Sequence, residues 1–135
     1  MDLEKALQIS SSGMQAQTTR LRVIAENLAN QDTTGGRPGA DPYRRKTVTF
    51  ADQIDRASGV EKVQVKKIGV DASAFPQRFD PSHPAADANG YVSTPNVNSF
   101  VEVMDMKEAE RSYSANLSVM QATRSMLNKT IDLLK

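Results

Sequence analysis

The distribution of helix-breaking residues constrains this chain more than any other feature of its sequence. All six prolines lie between Pro38 and Pro95, and six of the seven glycines lie between Gly35 and Gly90. Because proline and glycine favour turns and interrupt helices, long helices are expected only at the two ends. The sequence therefore predicts helical ends at residues 1–30 and 97–135 around a Gly/Pro-rich insert at residues 31–96.

Both ends carry an apolar stripe that recurs at alternating steps of three and four residues. This spacing, about 3.5 residues, is typical of a helix that packs lengthwise against another helix. The N-terminal seam comprises Leu3, Leu7, Met14, Leu21, Ile24 and Leu28, with Ser10 and Gln17 as polar members. The C-terminal seam comprises Val103, Met106, Tyr113, Leu117, Met120, Leu127, Ile131 and Leu134, with Glu110 and Arg124 as polar members. We expect both seams to serve assembly.

The expected fold is mainly α with a small β-rich insert. One helix should run from about Leu3 to Asn30 and the other from Asn98 or Ser99 towards the end of the sequence. Ser99 and Glu102 have the spacing of a capping box. The two helices are expected to pack as a coiled-coil-like pair in one axial domain, either within one subunit or between subunits. Ordering the two helices requires more burial than one stripe provides, so both ends are expected to be frayed or disordered in the isolated monomer and to become ordered when neighbouring subunits bury them.

The insert is expected to contain short strands joined by turns. Residues 43–50 and 60–70 are rich in β-branched residues with polar residues between them, which favours strands with one polar face. Asn89-Gly90 predicts a tight turn, because both residue types tolerate a positive φ, and a short return strand should begin at Tyr91.

Composition excludes several classes of function. The 17 basic and 16 acidic residues balance, so charge gives no reason to expect nucleic acid or an anionic membrane as a partner. The absence of cysteine excludes disulfides and thiolate metal sites. No apolar stretch approaches the ~20 residues of a membrane span. Asp2 and Glu4 stand where a secretory signal has basic residues, so no cleaved signal is expected.

Candidate chemistry is sparse. The single histidine, His83, lies with Asp80 and Asp87 in a proline-rich turn, and aspartate beside proline more often forms turns than binds metal. We therefore predict no catalytic, metal-binding or cofactor-binding residue. The basic run Arg44–Lys46 is interpreted as a solvated strand face in preference to a site for phosphate or an acidic partner.

Three segments together resemble one family, the axial rod and hook proteins of the bacterial flagellum. The first contains Ser12-Gly13-Met14 and Asn27–Asn30, followed by Thr33, Thr34 and Gly35. The second is DPSHPAADANGYVSTPNV at residues 80–97, and the third is Glu108-Ala109 with Arg111, Tyr113, Ala115 and Asn116. In many members a Gly-Tyr-Arg step follows the first segment directly, whereas here residues 36–41 intervene before Pro42. An insert at this position is typical of one proximal rod protein of the family, which this chain resembles.

The resemblance implies a structural subunit and no enzymatic activity. Members polymerise with themselves and other rod proteins into a helical shaft that crosses the periplasm, transmits motor torque and supports motility. They leave the cytoplasm through the flagellar type III export apparatus without a cleaved signal. The resemblance implies no cofactor, no nucleic-acid partner, no direct insertion into a membrane and no small-molecule substrate.

The resemblance also implies structural roles for particular residues. The turn after the first helix would contain Asn27, Leu28, Ala29, Asn30, Tyr43 and Arg44. A hairpin before the second helix would contain Asn89, Gly90 and Tyr91, and contacts between subunits would involve Arg111, Tyr113 and Asn116. Three alternatives stay open: another axial subunit, an adaptor whose helix docks in a partner's groove, and a small metal-dependent hydrolase at His83.

Overall fold

Two long helices at the ends of the chain dominate the computed structural model, which describes residues 2–135. Helix α1 spans Leu3–Ala29 and helix α2 spans Ser99–Leu133. The mainly α fold with a small β insert is confirmed. Both ends are helical in this structure of a single chain, and their order in solution stays a prediction. Neither helix in the described part of the chain combines the length and apolarity needed to cross a bilayer.

The insert contains two small sheets of two strands each. Strands β1 (Lys46–Asp55) and β2 (Val60–Val70) form the first sheet. Strands β3 (Gln77–Phe79) and β4 (Tyr91–Ser93) form the second, antiparallel, with Phe79 opposite Tyr91. The β2 prediction is confirmed, whereas β1 is displaced towards the C-terminus of the expected segment. Strand β3 escaped prediction because three exposed residues carry no readable alternation.

The chain divides into two compact units, each containing parts of both helices. Unit 1 comprises Met1–Leu21, Val48–Lys67 and Met106–Lys135, and unit 2 comprises Arg22–Thr47 and Ile68–Asp105. The buried apolar residues of unit 1 are Ala16, Val60 and Ala109, and those of unit 2 are Val23, Ile24 and Val92. These cores consist of small and medium side chains, as expected for a chain with only 5% aromatic residues.

The turn predicted at Asn89-Gly90 is confirmed and requires glycine. Gly90 has a φ of 86°, and its N–H donates to the carbonyl of Asp87 at 3.0 Å. A Cβ at Gly90 would lie 2.9 Å from Cε2 of Phe79. The carboxylate of Asp87 accepts the backbone N–H groups of Asn89 and Tyr91, both at 2.9 Å. Backbone strain and the neighbouring ring therefore both exclude a side chain at position 90.

The capping box predicted at the start of α2 is wrong. The side chain of Asn98 caps the helix, because its Oδ1 accepts the N–H groups of Phe100 at 3.0 Å and Val101 at 3.4 Å. Asparagine is among the best N-cap residues, since its short side chain reaches these orphan donors. Glu102, the expected second member of the box, is instead buried in a polar cluster.

Candidate assembly surfaces

Five residues of unit 2, here called the junction cluster, form a polar network in which Asn27 and Glu102 are buried and the others are partly buried: Asn27, Tyr43, Arg45, Asp71 and Glu102. Glu102 lies in the first turn of α2, and its side chain is 0% exposed. Its carboxylate accepts hydrogen bonds from Nε of Arg45 and, at 3.4 Å, from Nδ2 of Asn27. A buried carboxylate is tolerated only when it is paired and hydrogen-bonded, so these donors are a condition for burying this face of α2.

Asn27, near the end of α1, joins the cluster to the start of β1. Its side chain exchanges two hydrogen bonds with the backbone of Lys46, one from Nδ2 to the carbonyl and one from the N–H to Oδ1, both at 2.9 Å. Oδ1 also accepts the hydroxyl of Tyr43 at 2.8 Å. Because Asn27 is only 1% exposed, it satisfies these backbone groups where water does not reach. Burial raises the pKa of the Tyr43 hydroxyl above its ordinary value.

Arg45 is the cation of the junction cluster. Besides Glu102, its guanidinium lies 3.5 Å from the carboxylate of Asp71 and 3.6 Å from that of Asp105. Burial by itself would lower the pKa of Arg45, but the hydrogen bond and charge of Glu102, together with both aspartates, raise it above the ordinary value. Arg45 is therefore a fixed positive charge around which three segments of unit 2 assemble.

The interpretation of the basic run as a solvated strand face is wrong, because each of its members has a partner within unit 2. Arg44 donates to the carbonyls of Asp71 at 2.9 Å and Ser73 at 3.1 Å, and its guanidinium lies 4.2 Å from the ring centre of Phe75. Nζ of Lys46 lies 2.9 Å from the carboxylate of Glu26, and this hydrogen bond raises the pKa of Lys46. The partners of the basic run, Glu26 and residues 71–75, are far from it in sequence, so the number of charges in the chain could not predict these contacts.

In unit 1 the two helices contact each other in antiparallel order. Gly13 lies against Asn116, so a Cβ added at Gly13 would lie 2.8 Å from Nδ2 of that side chain. One heptad later along α1, Arg20 pairs with Glu108 at 3.4 Å. A residue without a side chain on α1 thus lets α2 approach closely at this level.

Several members of the predicted C-terminal seam are exposed in this single chain. They are Val103 (40%), Leu117 (37%), Ile131 (47%) and Leu134 (83%). The buried positions of α2 are instead Glu102, Ala109 and Thr123, each one residue before a seam position. The small side chains at 109 and 123 allow close packing on this face of α2. The other seam members, Met106, Tyr113, Met120 and Leu127, are partly buried.

The predicted N-terminal seam is less exposed. Ile24 is buried, and the remaining members, Leu3, Leu7, Met14, Leu21 and Leu28, are partly buried. The polar seam position Ser10 is buried at 4% exposure. The assembly role of both seams stays a prediction.

His83 connects two loops of unit 2. Its Nδ1 accepts the backbone N–H of Ala85 at 3.0 Å, and its Nε2 lies 3.3 Å from the hydroxyl of Thr34. Within residues 2–135, no group of three or more histidine, cysteine, aspartate or glutamate residues is arranged to hold a metal ion. Both ring nitrogens of His83 thus have partners, and the contact with Thr34 links the loop of residues 80–90 to the loop after α1.

Comparisons with known proteins agree with this arrangement. Residues 7–35 match the family model "Flagella basal body rod protein", and residues 88–133 match "Flagellar basal body rod FlgEFG protein C-terminal". The chain is 56% identical to the flagellar basal-body rod protein FlgC of Agrobacterium fabrum, covering 98% of this chain and 96% of that protein. It is 42% identical to FlgC of Salmonella typhimurium, with 98% of each chain covered, and 37% identical to that of Bacillus subtilis, with 95% of each covered.

The chain belongs to the FlgC family of flagellar basal-body rod proteins. It is a structural subunit of the rod in the flagellar basal body, as the sequence resemblance predicted. Its two matched regions lie mainly on α1 and α2, which are the parts of the chain that carry the predicted seams.

The structure brings some of the FlgC-family motif residues together and leaves others apart. Asn27 and Tyr43 meet in the junction cluster, whereas Leu28 is partly buried, Ala29 is exposed, and Asn30 bonds back to the carbonyl of Glu26. Arg44 contacts the loop at residues 71–75. Asn89 is exposed in its turn, and Tyr91 packs edge-on against Phe79 with ring centres 5.4 Å apart.

The motif residues on α2 also differ in position. Arg111 is exposed, Tyr113 is partly buried, and Asn116 lies against Gly13. Their contacts with other subunits stay a prediction.

Sequence reasoning missed the residues that make the junction cluster a network, namely Arg45, Asp71 and Glu102. One sequence signal was available: Glu102 directly precedes the seam residue Val103, in a helical turn whose apolar side is expected to be buried. A buried carboxylate requires a cationic partner, and the basic run after the first helix contained a candidate, Arg45.

Proposed function

We propose that this FlgC-family subunit polymerises with itself and with other rod proteins into a helical drive shaft in the periplasm. The shaft transmits motor torque, and its lateral contacts form along α1 and α2, the axial domain of residues 1–30 and 97–135. The observation that supports this proposal is the exposed apolar surface of α2. In unit 2 it includes Phe100 (73%) and Met104 (55%), and in unit 1 it includes Val119 (51%) and Met126 (58%).

We further propose that α1 and α2 pack as a coiled-coil-like pair. Support comes from unit 1, where seven residues of α2 recur at alternating steps of three and four and none is exposed: Met106, Ala109, Tyr113, Asn116, Met120, Thr123 and Leu127. This spacing is the seam geometry of a coiled coil. The pair would leave the opposite face of α2 free for neighbouring subunits.

The seams and the motif residues of α2 are proposed to act only in assembly. Export is proposed to proceed through the flagellar type III apparatus without a cleaved signal, and no catalytic role is proposed. These points rest on membership of a family whose relatives are named rod proteins. The link that His83 forms between two loops supports a structural role for the imidazole over a hydrolytic one.

The experiment places a carboxylate in the C-terminal seam. Leu127→Asp and Leu134→Asp should each abolish rod formation and swimming in a flagellated host whose own copy of the gene is deleted, because a charge cannot be buried in an apolar contact without a partner. Ser125→Asp is the matched control, since it makes the same charge change at an exposed position of α2 away from the seam. Protein levels in cell extracts should be equal for all three variants.

A normal rod carrying Leu127→Asp or Leu134→Asp would exclude the C-terminal seam from assembly. His83→Ala provides a separate test of the hydrolase alternative. Swimming should be retained with His83→Ala if the imidazole is structural, whereas loss of swimming from a rod that still assembles would favour a chemical role.

A further inference from the structure

The dipeptide Asn89-Gly90, which forms the turn between β3 and β4, is prone to a spontaneous chemical change, deamidation. Of the seven asparagines in the chain, only Asn89 precedes a glycine. Glycine hinders attack by its own backbone nitrogen least, because it has no side chain and its backbone moves freely. Asn89 is also exposed, so water reaches it. Sequence and exposure therefore favour the reaction, and the conformation of the turn is left to oppose it.

Deamidation has two steps, and water is its only co-reactant. In the first step the deprotonated nitrogen of Gly90 attacks Cγ of Asn89. A new N–C bond forms, the C–N bond of the side-chain amide breaks, and the proton lost by Gly90 leaves with the amide as ammonia. In the second step water adds to either carbonyl of the resulting succinimide ring and opens it. The product is aspartate or isoaspartate, and isoaspartate lengthens the backbone by one carbon.

The folded turn opposes ring closure in two ways. The N–H of Gly90 donates to the carbonyl of Asp87 at 3.0 Å, so this hydrogen bond retains the proton that must leave. The same bond closes a β-turn over residues 87–90, and φ is negative at both central residues, which makes the turn type I. In a type I turn ψ of the third residue, here Asn89, is about 0°. That ψ turns the nitrogen of Gly90 away from Cβ of Asn89, whereas a planar ring needs both on the same side.

Several contacts hold this conformation together. The carboxylate of Asp87 accepts the backbone N–H groups of Asn89 and Tyr91, both at 2.9 Å. The N–H of Asp87 in turn donates to the carbonyl of Tyr91 at 2.9 Å. Gly90 is buried against the ring of Phe79, where a Cβ would lie 2.9 Å from Cε2. The reactive conformation thus requires these hydrogen bonds to break together, which is local unfolding of the turn.

We propose that Asn89 is a deamidation site that the folded turn keeps unreactive, so that the reaction proceeds only from chains in which β3 and β4 have separated. The inference goes beyond the proposed function and does not depend on it. It assigns to position 89 a covalent modification by water whose extent records how long a chain has been unfolded.

The modification also prevents the turn from forming again. With the extra backbone carbon of isoaspartate, the N–H of Gly90 no longer reaches the carbonyl of Asp87 while Gly90 stays in its space beside Phe79. Chains that react while unfolded should therefore refold without the turn between β3 and β4.

The first test compares the folded and the unfolded full-length protein. The purified chain is incubated in mildly alkaline buffer with and without denaturing guanidinium chloride, and peptide mass spectrometry measures the fraction of Asn89 converted over time. Conversion should be at least several-fold faster in the denaturant. At intermediate concentrations the rate should rise in proportion to the unfolded fraction measured by circular dichroism. Equal rates in the folded and unfolded protein would overturn the inference.

The second test removes the carboxylate that holds the turn. Asp87→Ala should accelerate conversion in native buffer several-fold, because two backbone N–H groups lose their acceptor, and Asp87→Asn, which keeps an oxygen acceptor, should react more slowly than Asp87→Ala. Asp32→Ala is the matched control, at an exposed aspartate of the same unit outside the turn. A folded Asp87→Ala protein that reacts no faster than the control would contradict the inference. If Asp87→Ala does not fold, the denaturant series on the unaltered chain decides.

The third test separates the new charge from the longer backbone. Asn89→Asp introduces the same charge without isoaspartate, and since this side chain is exposed, the variant should keep nearly the unfolding midpoint of the unaltered chain. Chains deamidated in guanidinium chloride and returned to native buffer should unfold at a lower denaturant concentration. Equal midpoints for these two proteins would show that the turn tolerates the longer backbone and would contradict the expected loss of the turn.

Discussion

At the scale of single residues, the junction cluster shows how a chain with little apolar core can fix a helix. Glu102 gives α2 a buried carboxylate, and Arg45 and Asn27 supply the donors that make its burial tolerable. A charged pair in the interior contributes less to net stability than to specificity, because desolvation offsets much of its attraction. We infer that the cluster determines which face of α2 turns inward in unit 2.

Glu102→Leu should therefore destabilise the chain by about 1–3 kcal/mol, since it removes the charged hydrogen bond to Arg45 and leaves that guanidinium with only the longer contacts to Asp71 and Asp105. Urea unfolding followed by circular dichroism measures the effect. The double variant Glu102→Leu/Arg45→Met should recover part of this loss, because the two apolar side chains can pack against each other in place of the broken ion pair. If the single variant costs less than about 1 kcal/mol, the network is an ordinary surface ion pair.

At the scale of helices, close approach is obtained with small residues. Gly13 on α1 leaves room for the side chain of Asn116, which a Cβ at position 13 would press against. Glycine within a helix costs about 1 kcal/mol relative to alanine, so the sequence sacrifices helix propensity at this level in favour of packing. The resulting contact lies one residue away from the larger apolar side chain of Leu117, which stays exposed at 37%.

The competition between propensity and packing predicts coupling between positions 13 and 116. Gly13→Ala alone should give little or no stabilisation, because the new methyl group displaces the Asn116 amide. In an Asn116→Ala background the same change should stabilise by about 1 kcal/mol, the full helix-propensity gain. A double-mutant cycle measured by urea unfolding gives the coupling energy. Additive effects would show that the two side chains do not compete for space.

At the scale of the whole molecule, carboxylates held by hydrogen bonds determine the response to acid. The hydrogen bond from Lys62 lowers the pKa of Asp55 from 3.8 to about 2. Lys46 lowers the pKa of Glu26, and the backbone N–H of Ser73 lowers that of Asp71. In each case the folded chain binds the proton less tightly than the unfolded chain does, so protonation favours unfolding.

Stability from these groups should be fully present above the unfolded-state pKa values of 3.8 for aspartate and 4.5 for glutamate. It should be lost as the pH falls from there towards about 2, the folded-state pKa of Asp55. Urea midpoints measured across this range give the slope. Asp55→Asn and Lys62→Met should both make it shallower, and a slope unchanged by both would show that the pair does not contribute.

The amino-acid sequence by itself determined where the helices lie and what kind of protein this is. Segregation of proline and glycine into the middle fixed the bounds of α1 and α2 within about two residues, because helix termination is a local property. The turn at Asn89-Gly90 was equally local, and the motif segments identified the family before any contact was known.

Only the tertiary structure decided which faces of the helices are covered. The apolar pattern placed the seam at Val103 and Leu117, whereas packing buries Glu102 and Ala109 and brings Asn116 against Gly13. The buried positions of α2 precede the predicted seam positions by one residue for two reasons. Close approach of the two helix backbones favours small residues, and the carboxylate of Glu102 is buried where Arg45 and Asn27 donate hydrogen bonds to it. Both conditions depend on segments distant in sequence, such as the loop that brings Arg45 to Glu102, and no local pattern encodes them.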